Sequence, residues 1–328
     1  MAQEALASER ADVSVADAIE FYYEKGWTDG LPVVPATEER VREFLAHAGK
    51  NPSDVIGVVP TRGRVITAEK VAINAVLAGC RPEYMPVVVA VIEAMTEPEF
   101  NYHGSLASTG GSAQFIVVNG PIAGELDINC GVNAFGPGWR ANATIGRAVR
   151  LIIINVTGGI PGDLDKSTFG HGGKYSFCIA EHEEASPWEP LHVQRGMRPE
   201  ESAVTVFAVH PPFQFHDSTS NTPEGLLASA ARSMALYGPN LAEIVIVWSP
   251  EHIGAFRNAG WTKRQAMEHL AEHAVTAVDA GQEPRPVVSA ADDISMLVAG
   301  GDAGAFSIII PPWGGGRISR AVTKPIRA

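Results

Sequence analysis

The sequence predicts an α/β fold, a layered mixed sheet flanked by helices with room for two similar lobes, and three observations predict it. A chain of 328 residues, 45% hydrophobic and 19% charged, is long enough for one large core or two smaller ones. From residue 114 onward, short apolar runs of strand length alternate with longer amphipathic runs, the pattern of layered α/β architecture. Val156-Thr157-Gly158-Gly159 and Val298-Ala299-Gly300-Gly301 both follow apolar runs, as pseudo-repeated halves would. Proline and charge interrupt the pattern between Pro187 and Glu201, which places the expected boundary between lobes 1–186 and 187–328.

Each element has a local cause. Ser14 and Asp17 open an amphipathic segment through Tyr23, and Thr37-Glu38-Glu39 opens another through Ala46. Leu31-Pro32-Val33-Val34-Pro35 between them reads as a strand or extended turn. Thr67 caps a helix whose Val71, Ala75, Val76 and Leu77 lead to Gly79, and Pro82 starts a valine-rich helix as far as Met95. The apolar breadth of this pair predicts burial or a subunit contact, so a homo-oligomer is expected. Runs at 114–119, 142–154, 175–179, 204–209, 223–236, 243–248, 262–274, 294–298 and 306–310 complete the alternation. Thr262-Lys263-Arg264-Gln265 has the form of a capping box.

A formal net charge of -12 at pH 7 repels phosphate, which argues against nucleic acid and anionic membrane as partners. An anionic substrate would have to be met by a local arginine pocket. No apolar stretch approaches the roughly 20 residues that span a bilayer, and residues 1–12 lack a basic-then-apolar signal, so a cytoplasmic protein is expected. Cys80, Cys130 and Cys178 are too widely spaced for a disulfide framework or a Cys-x-x-Cys cradle and read as individual thiols.

The stretch from Asn129 to Arg147 concentrates chemistry. Cys130 stands between Asn129 and Gly131, where a helix N-terminus or amides could lower a thiol pKa toward the reactive thiolate. Gly136-Pro137-Gly138 then leads into the 142–154 helix, whose free N–H groups form an anion seat with Asn133, Arg140, Asn142 and Arg147. Cys80, beside Arg81, is a second candidate thiol, whereas Cys178 alternates with Phe177 and Ile179 as core. Ser108-Thr109-Gly110-Gly111-Ser112 precedes a strand as a backbone nest for an oxyanion. His171, flanked by glycines, is the candidate proton shuttle, with Glu181 as its partner or base. Trp313, in the loop that runs on to Arg317, could close over a ligand. His182 and His192 with Glu181 offer a metal alternative, although their spacing matches no strong signature. No cofactor is predicted.

Several blocks of the chain together resemble a bacterial family associated with small proteins that bear a selenocysteine- or cysteine-Gly-Ser-Cys motif. They are Trp27-Thr28-Asp29-Gly30-Leu31-Pro32-Val33-Val34-Pro35, Gly79-Cys80-Arg81-Pro82-Glu83-Tyr84, Ser108-Thr109-Gly110-Gly111, Gly136-Pro137-Gly138 through Arg147, Gly170-His171-Gly172-Gly173-Lys174-Tyr175, Ser186-Pro187-Trp188-Glu189-Pro190-Leu191-His192 and Val298-Ala299-Gly300-Gly301. The resemblance implies a thiol or selenol redox protein as partner, and redox or carbon–heteroatom cleavage as the chemistry. With the residues above, the expected function is a cysteine-assisted lyase or hydrolase for a small carboxylate-bearing substrate. The alternatives are a metal-dependent hydrolase with His and Glu ligands and a non-catalytic subunit that presents ligand to the redox partner.

Overall fold

Buried residues on both faces of the central strands dictate the architecture. The computed structural model describes residues 4–239, 241–276, 283–314 and 318–327. In chain order the elements are α1 (Ala18–Glu24), α2 (Glu38–His47), β1 (Val55–Val59), β2 (Arg64–Thr67), α3 (Ala68–Ala78), α4 (Met85–Met95), α5 (Tyr102–Leu106), β3 (Ala113–Asn119), α6 (Pro121–Glu125), α7 (Arg140–Asn155) and β4 (Cys178–Ala180). They continue with α8 (Leu191–Gln194), β5 (Ala203–Val209), β6 (Phe213–His216), α9 (Pro223–Met234), β7 (Ile244–Trp248), α10 (Pro250–Ala259), α11 (Lys263–His273), β8 (Ile294–Val298), β9 (Phe306–Ile310) and β10 (Val322–Pro325). Every residue of β3, β5, β7 and β8 is buried, so each strand must pack against a layer on either side.

Period-two side-chain alternation sorts those layers. Ala113, Phe115 and Val117 of β3 join Phe207 and Val209 of β5 in one cluster with Val245, Val247, Leu297 and Ile310 from β7, β8 and β9. The intervening Ile116, Val118, Val204 and Val206 pack with α3, α4 and α7. Ile244, Ile246, Met296 and Val298 pack with α9, α10 and α11. The result is four layers, helices on sheet on sheet on helices, consistent with the expected α/β class.

The two four-stranded sheets share one topology. One runs β10-β5-β3-β4 and the other β6-β9-β7-β8. In each, a parallel pair (β3 with β4, β7 with β8) is followed by two antiparallel strands. The outermost antiparallel strands are exchanged: β6 follows β5 in sequence but pairs with β9, and β10 follows β9 but pairs with β5. Both crossings leave through a Pro-Pro corner, Pro211-Pro212 and Pro311-Pro312, where missing N–H groups stop the strand from continuing its own ladder. The corners meet, with His210 N donating to Pro311 O at 2.8 Å and Trp313 N to Ala208 O at 2.8 Å.

Two expectations need correction, and a third, burial or a subunit contact for α3 and α4, is met by burial. The boundary at 186/187 does not divide the sheets, because β5 and β10 lie beyond it and complete the sheet of β3 and β4. The two glycine motifs are not equivalent: Val156–Gly159 follows the end of α7, whereas Val298–Gly301 follows β8. The apolar α3 and α4 are buried by α7, β5 and β10 of the same chain, so their composition no longer argues for a subunit contact. Among the described residues no helix is long and apolar enough to cross a membrane.

Candidate active site

Close approach of glycines brings three chain segments together at the N-terminal end of β3. Gly111 takes φ +71°, and a side chain there would sit 3.3 Å from the Gly170 backbone. The 108–112 loop and the loop before His171 therefore touch main chain to main chain, and Thr168 N donates to Thr109 O at 2.9 Å. At Gly110, a side chain would meet His210 Cε1 at 2.9 Å and Ser108 Oγ at 3.3 Å, so glycine leaves room for the imidazole and the hydroxyl to approach one another. His210 is the residue before the Pro211-Pro212 corner. The opposite corner supplies Trp313, whose Nε1 donates to Ser108 Oγ at 2.8 Å.

The hydrogen-bond pattern leaves several polar atoms of these loops without a protein partner. Ser108 Oγ accepts from Trp313 Nε1 and from Gly110 N (3.0 Å), and its own proton goes to no described residue. His171 Nδ1 accepts from Gly173 N at 3.2 Å, so the neutral ring carries its proton on Nε2. That Nε2 is buried without a partner, as is Ser112 Oγ. Burial, with help from Lys174 and His210, pulls the His171 pKa down to about 4, so the ring is a neutral N–H donor at physiological pH. Burial also lowers His210, against a hydrogen bond with the Gly110 backbone.

Beside His171 lies a charge cluster. Lys174 Nζ donates to Asp165 Oδ2 (2.6 Å) and Ser167 Oγ (2.6 Å), and Arg150 Nη2 reaches the same Asp165 oxygen at 2.9 Å. Burial opposes ionisation of Asp165, but Lys174, Ser167 and Arg150 together hold its carboxyl well below the usual range. Two cations face one carboxylate, so the base of the His171 loop carries excess positive charge that suits an anion.

Of the expected site residues, Ser108, Thr109, Gly110, Gly111, His171 and Trp313 come together here. Arg317, in the loop after Trp313, lies outside the described residues. Glu181 does not join His171. Its Oε2 accepts from Asn119 Nδ2 (2.7 Å) and Leu191 N (2.7 Å) at the opposite end of β3, six residue steps or roughly 20 Å away. Burial raises its pKa, against the attraction of Lys263.

The arginines and amides of 129–147 are spent on the fold. Arg140 donates to Gly79 O (2.9 Å) and Cys80 O (3.3 Å), where it holds the carbonyl end of α3. Arg147 grips Asp29 through two 2.8 Å bonds and also the Leu31 and Pro32 carbonyls. Asn142 brackets the Asn129 peptide through both N (2.8 Å) and O (2.9 Å). Asn129 binds Gly131 N and Val132 O, and Asn133 binds Pro137 O.

The thiols stand apart from the cleft. Cys80 is buried, donates to Thr144 O, and is pushed up to about 12 by burial. Cys178 is buried and raised further. Cys130 is half-buried, raised by burial and by Glu184 and Glu183, and its carbonyl accepts from Gly300 N. All three are protonated at neutral pH. Iodoacetamide should therefore modify Cys130 slowly and leave Cys80 and Cys178 intact until the chain unfolds, as mass spectrometry can follow. Rapid native labelling of Cys80 would contradict this geometry.

Two residues that matter here, His210 and Asp165, carry no motif. The Pro-Pro repeat after β5 and β9 is the signal that could have drawn attention to His210. Among the described residues no group of three or more His, Cys, Asp or Glu side chains could hold a metal ion, so His182, His192 and Glu181 do not form a ligand set. The chain matches no protein-family model and no curated protein sequence.

Proposed function

We propose that the protein is a lyase or hydrolase for a small carboxylate-bearing substrate, with lyase chemistry favoured, and that the work is done by the His171–His210 cleft. The observation that carries this reading is the buried, unpartnered His171 Nε2–H on a loop that touches the 108–112 loop, where the proton of the Ser108 hydroxyl is also unclaimed. Two neutral donors and a nearby surplus of positive charge suit a carboxylate oxygen that gains charge as a neighbouring carbon loses its proton. His210, neutral near pH 7 and close to Ser108 at the Gly110 turn, takes that proton and returns it to the departing β-hydroxyl, which leaves as water as the enoate forms. Cys130 has no part in this scheme.

The test is turnover of a panel of small hydroxy- and amino-carboxylates, with enoate formation or hydrolysis followed optically. His171→Gln is expected to lower kcat by roughly 100- to 1000-fold, the usual cost of one oxyanion donor. His210→Asn should lower it at least as much, and Cys130→Ser should leave it near wild type. The acid limb of kcat/KM should lie below pH 6.5, because His210 must shed its proton to act as base and its pKa is lowered from 6.5. Full activity in His171→Gln, or collapse in Cys130→Ser, would return the reaction to the thiol.

A further inference from the structure

Residues 6–13 cross a cavity of about 910 Å³ without filling it. The crossing is tied down on α3, where Ala7 N and Ser8 N donate to the Glu69 carboxylate at 2.9 and 2.8 Å, and on α2, where Arg42 reaches Glu4 O at 3.0 Å. Phe21 and Tyr22 of α1 and the nearby Trp27 form one wall, with centroids 5.9 to 6.1 Å apart, Phe21 edge-on to both other rings and Tyr22 tilted at 56° to Trp27. Lys70 and Asn74 of α3 and Asn155 at the end of α7 supply polar groups.

Two of those groups are left incomplete. Asn155 Nδ2 donates to Asn74 Oδ1 at 2.7 Å, but Asn155 Oδ1 is buried with no partner. Lys70 Nζ donates only to Ser8 Oγ (3.0 Å) and makes no ion pair among the described residues. It stands in the first turn of α3, where the helix dipole disfavours a cation, so helix stability does not explain it. A hollow of this volume, with an aromatic wall and a rim on which Arg10, Arg64 and Lys70 balance Glu9, Asp12 and Glu38, has the dimensions of a ligand site.

We infer that the cavity binds a small carboxylate with a ring-sized apolar body. The carboxylate pairs with the Lys70 ammonium, and the body lies against Phe21, Tyr22 and Trp27. None of these residues belongs to the His171–His210 cleft, so this is a second site. The α7 helix links the two, because Arg150 holds Asp165 and Asn155 borders the cavity.

Calorimetric titration of the full chain with 2-naphthoate tests the inference. One saturable site is expected, weakened about tenfold or more by Lys70→Gln, which removes a charge-assisted bond. The uncharged 2-naphthalenemethanol should bind wild type about as weakly as naphthoate binds that variant. Ile73→Trp, which fills the cavity, should abolish binding, and His171→Gln should leave it unchanged. Absence of binding to wild type, equal affinity in Lys70→Gln, or loss in His171→Gln would overturn the assignment. Lys70→Gln touches only the cavity rim, so the test stands even if the tryptophan variant folds poorly.

Discussion

Asp165→Ala is expected to destabilise the protein by about 3–5 kcal/mol, the cost of leaving buried charge without its counter-ion. The Asp165 side chain is 4% exposed, and Arg150 and Lys174, which share its oxygen, are 8% and 12% exposed. Removal of the carboxylate would strand two cations where water reaches neither freely, and Ser167 would lose its acceptor as well. Urea unfolding measures the effect as a lower midpoint at unchanged slope. The contrast is Arg264, more than half exposed in its pairs with Glu268 and Asp292, whose loss should cost well under about 1 kcal/mol. A small penalty for Asp165→Ala would mean that water enters the cluster, and the positive field assigned to the cleft would weaken with it.

The same cluster shows what the sequence could and could not disclose. Elements with a local cause were legible: Thr37, Thr67 and Thr262 cap their helices as their spacing predicts, and the capping box at Thr262 and Gln265 is present. The strands β3, β5, β7, β8 and β9 stand within a residue or two of the apolar runs. The 175–179 run yields a strand only at Cys178–Ala180, because β4 pairs with β3 over three positions. The β1–β2 hairpin, β6 and β10 were not legible. Each is short and partly exposed, and β6 and β10 owe their place to partners about a hundred residues away. Their exchange is a tertiary event with no local signature.

The site divides by the same rule. Glycines at 110 and 111 and the histidine between glycines signal close approach from sequence alone, and they do meet. Arg140, Arg147, Asn129, Asn133 and Asn142 look equally rich, but a sequence lists donors without saying what they bond. Here backbone carbonyls and Asp29 take them. His210 and Asp165 went unread because an imidazole at a strand end and an aspartate in a loop become informative only when Gly110 and Lys174 arrive beside them.

Phe115→Ala should cost about 3–5 kcal/mol, the usual range for a large aromatic removed from a packed interior. Phe115 is fully buried in the layer between the sheets, with ring centroids of Phe177 at 4.7 Å, Phe135 at 5.9 Å and Phe207 at 6.0 Å. Phe177 in turn meets the His171 ring edge-on at 6.3 Å, so the void would open directly behind the proposed donor. Turnover should therefore fall further in this variant than in Val118→Ala, which empties space on the helix-covered face of the same strand. Phe115→Leu, which refills most of the volume, should recover more than half of the lost stability if interior packing is the cause. A penalty below about 1 kcal/mol for the alanine variant would be incompatible with two sheets packed face to face across this ring. The cleft would then lose the rigid backing that fixes His171.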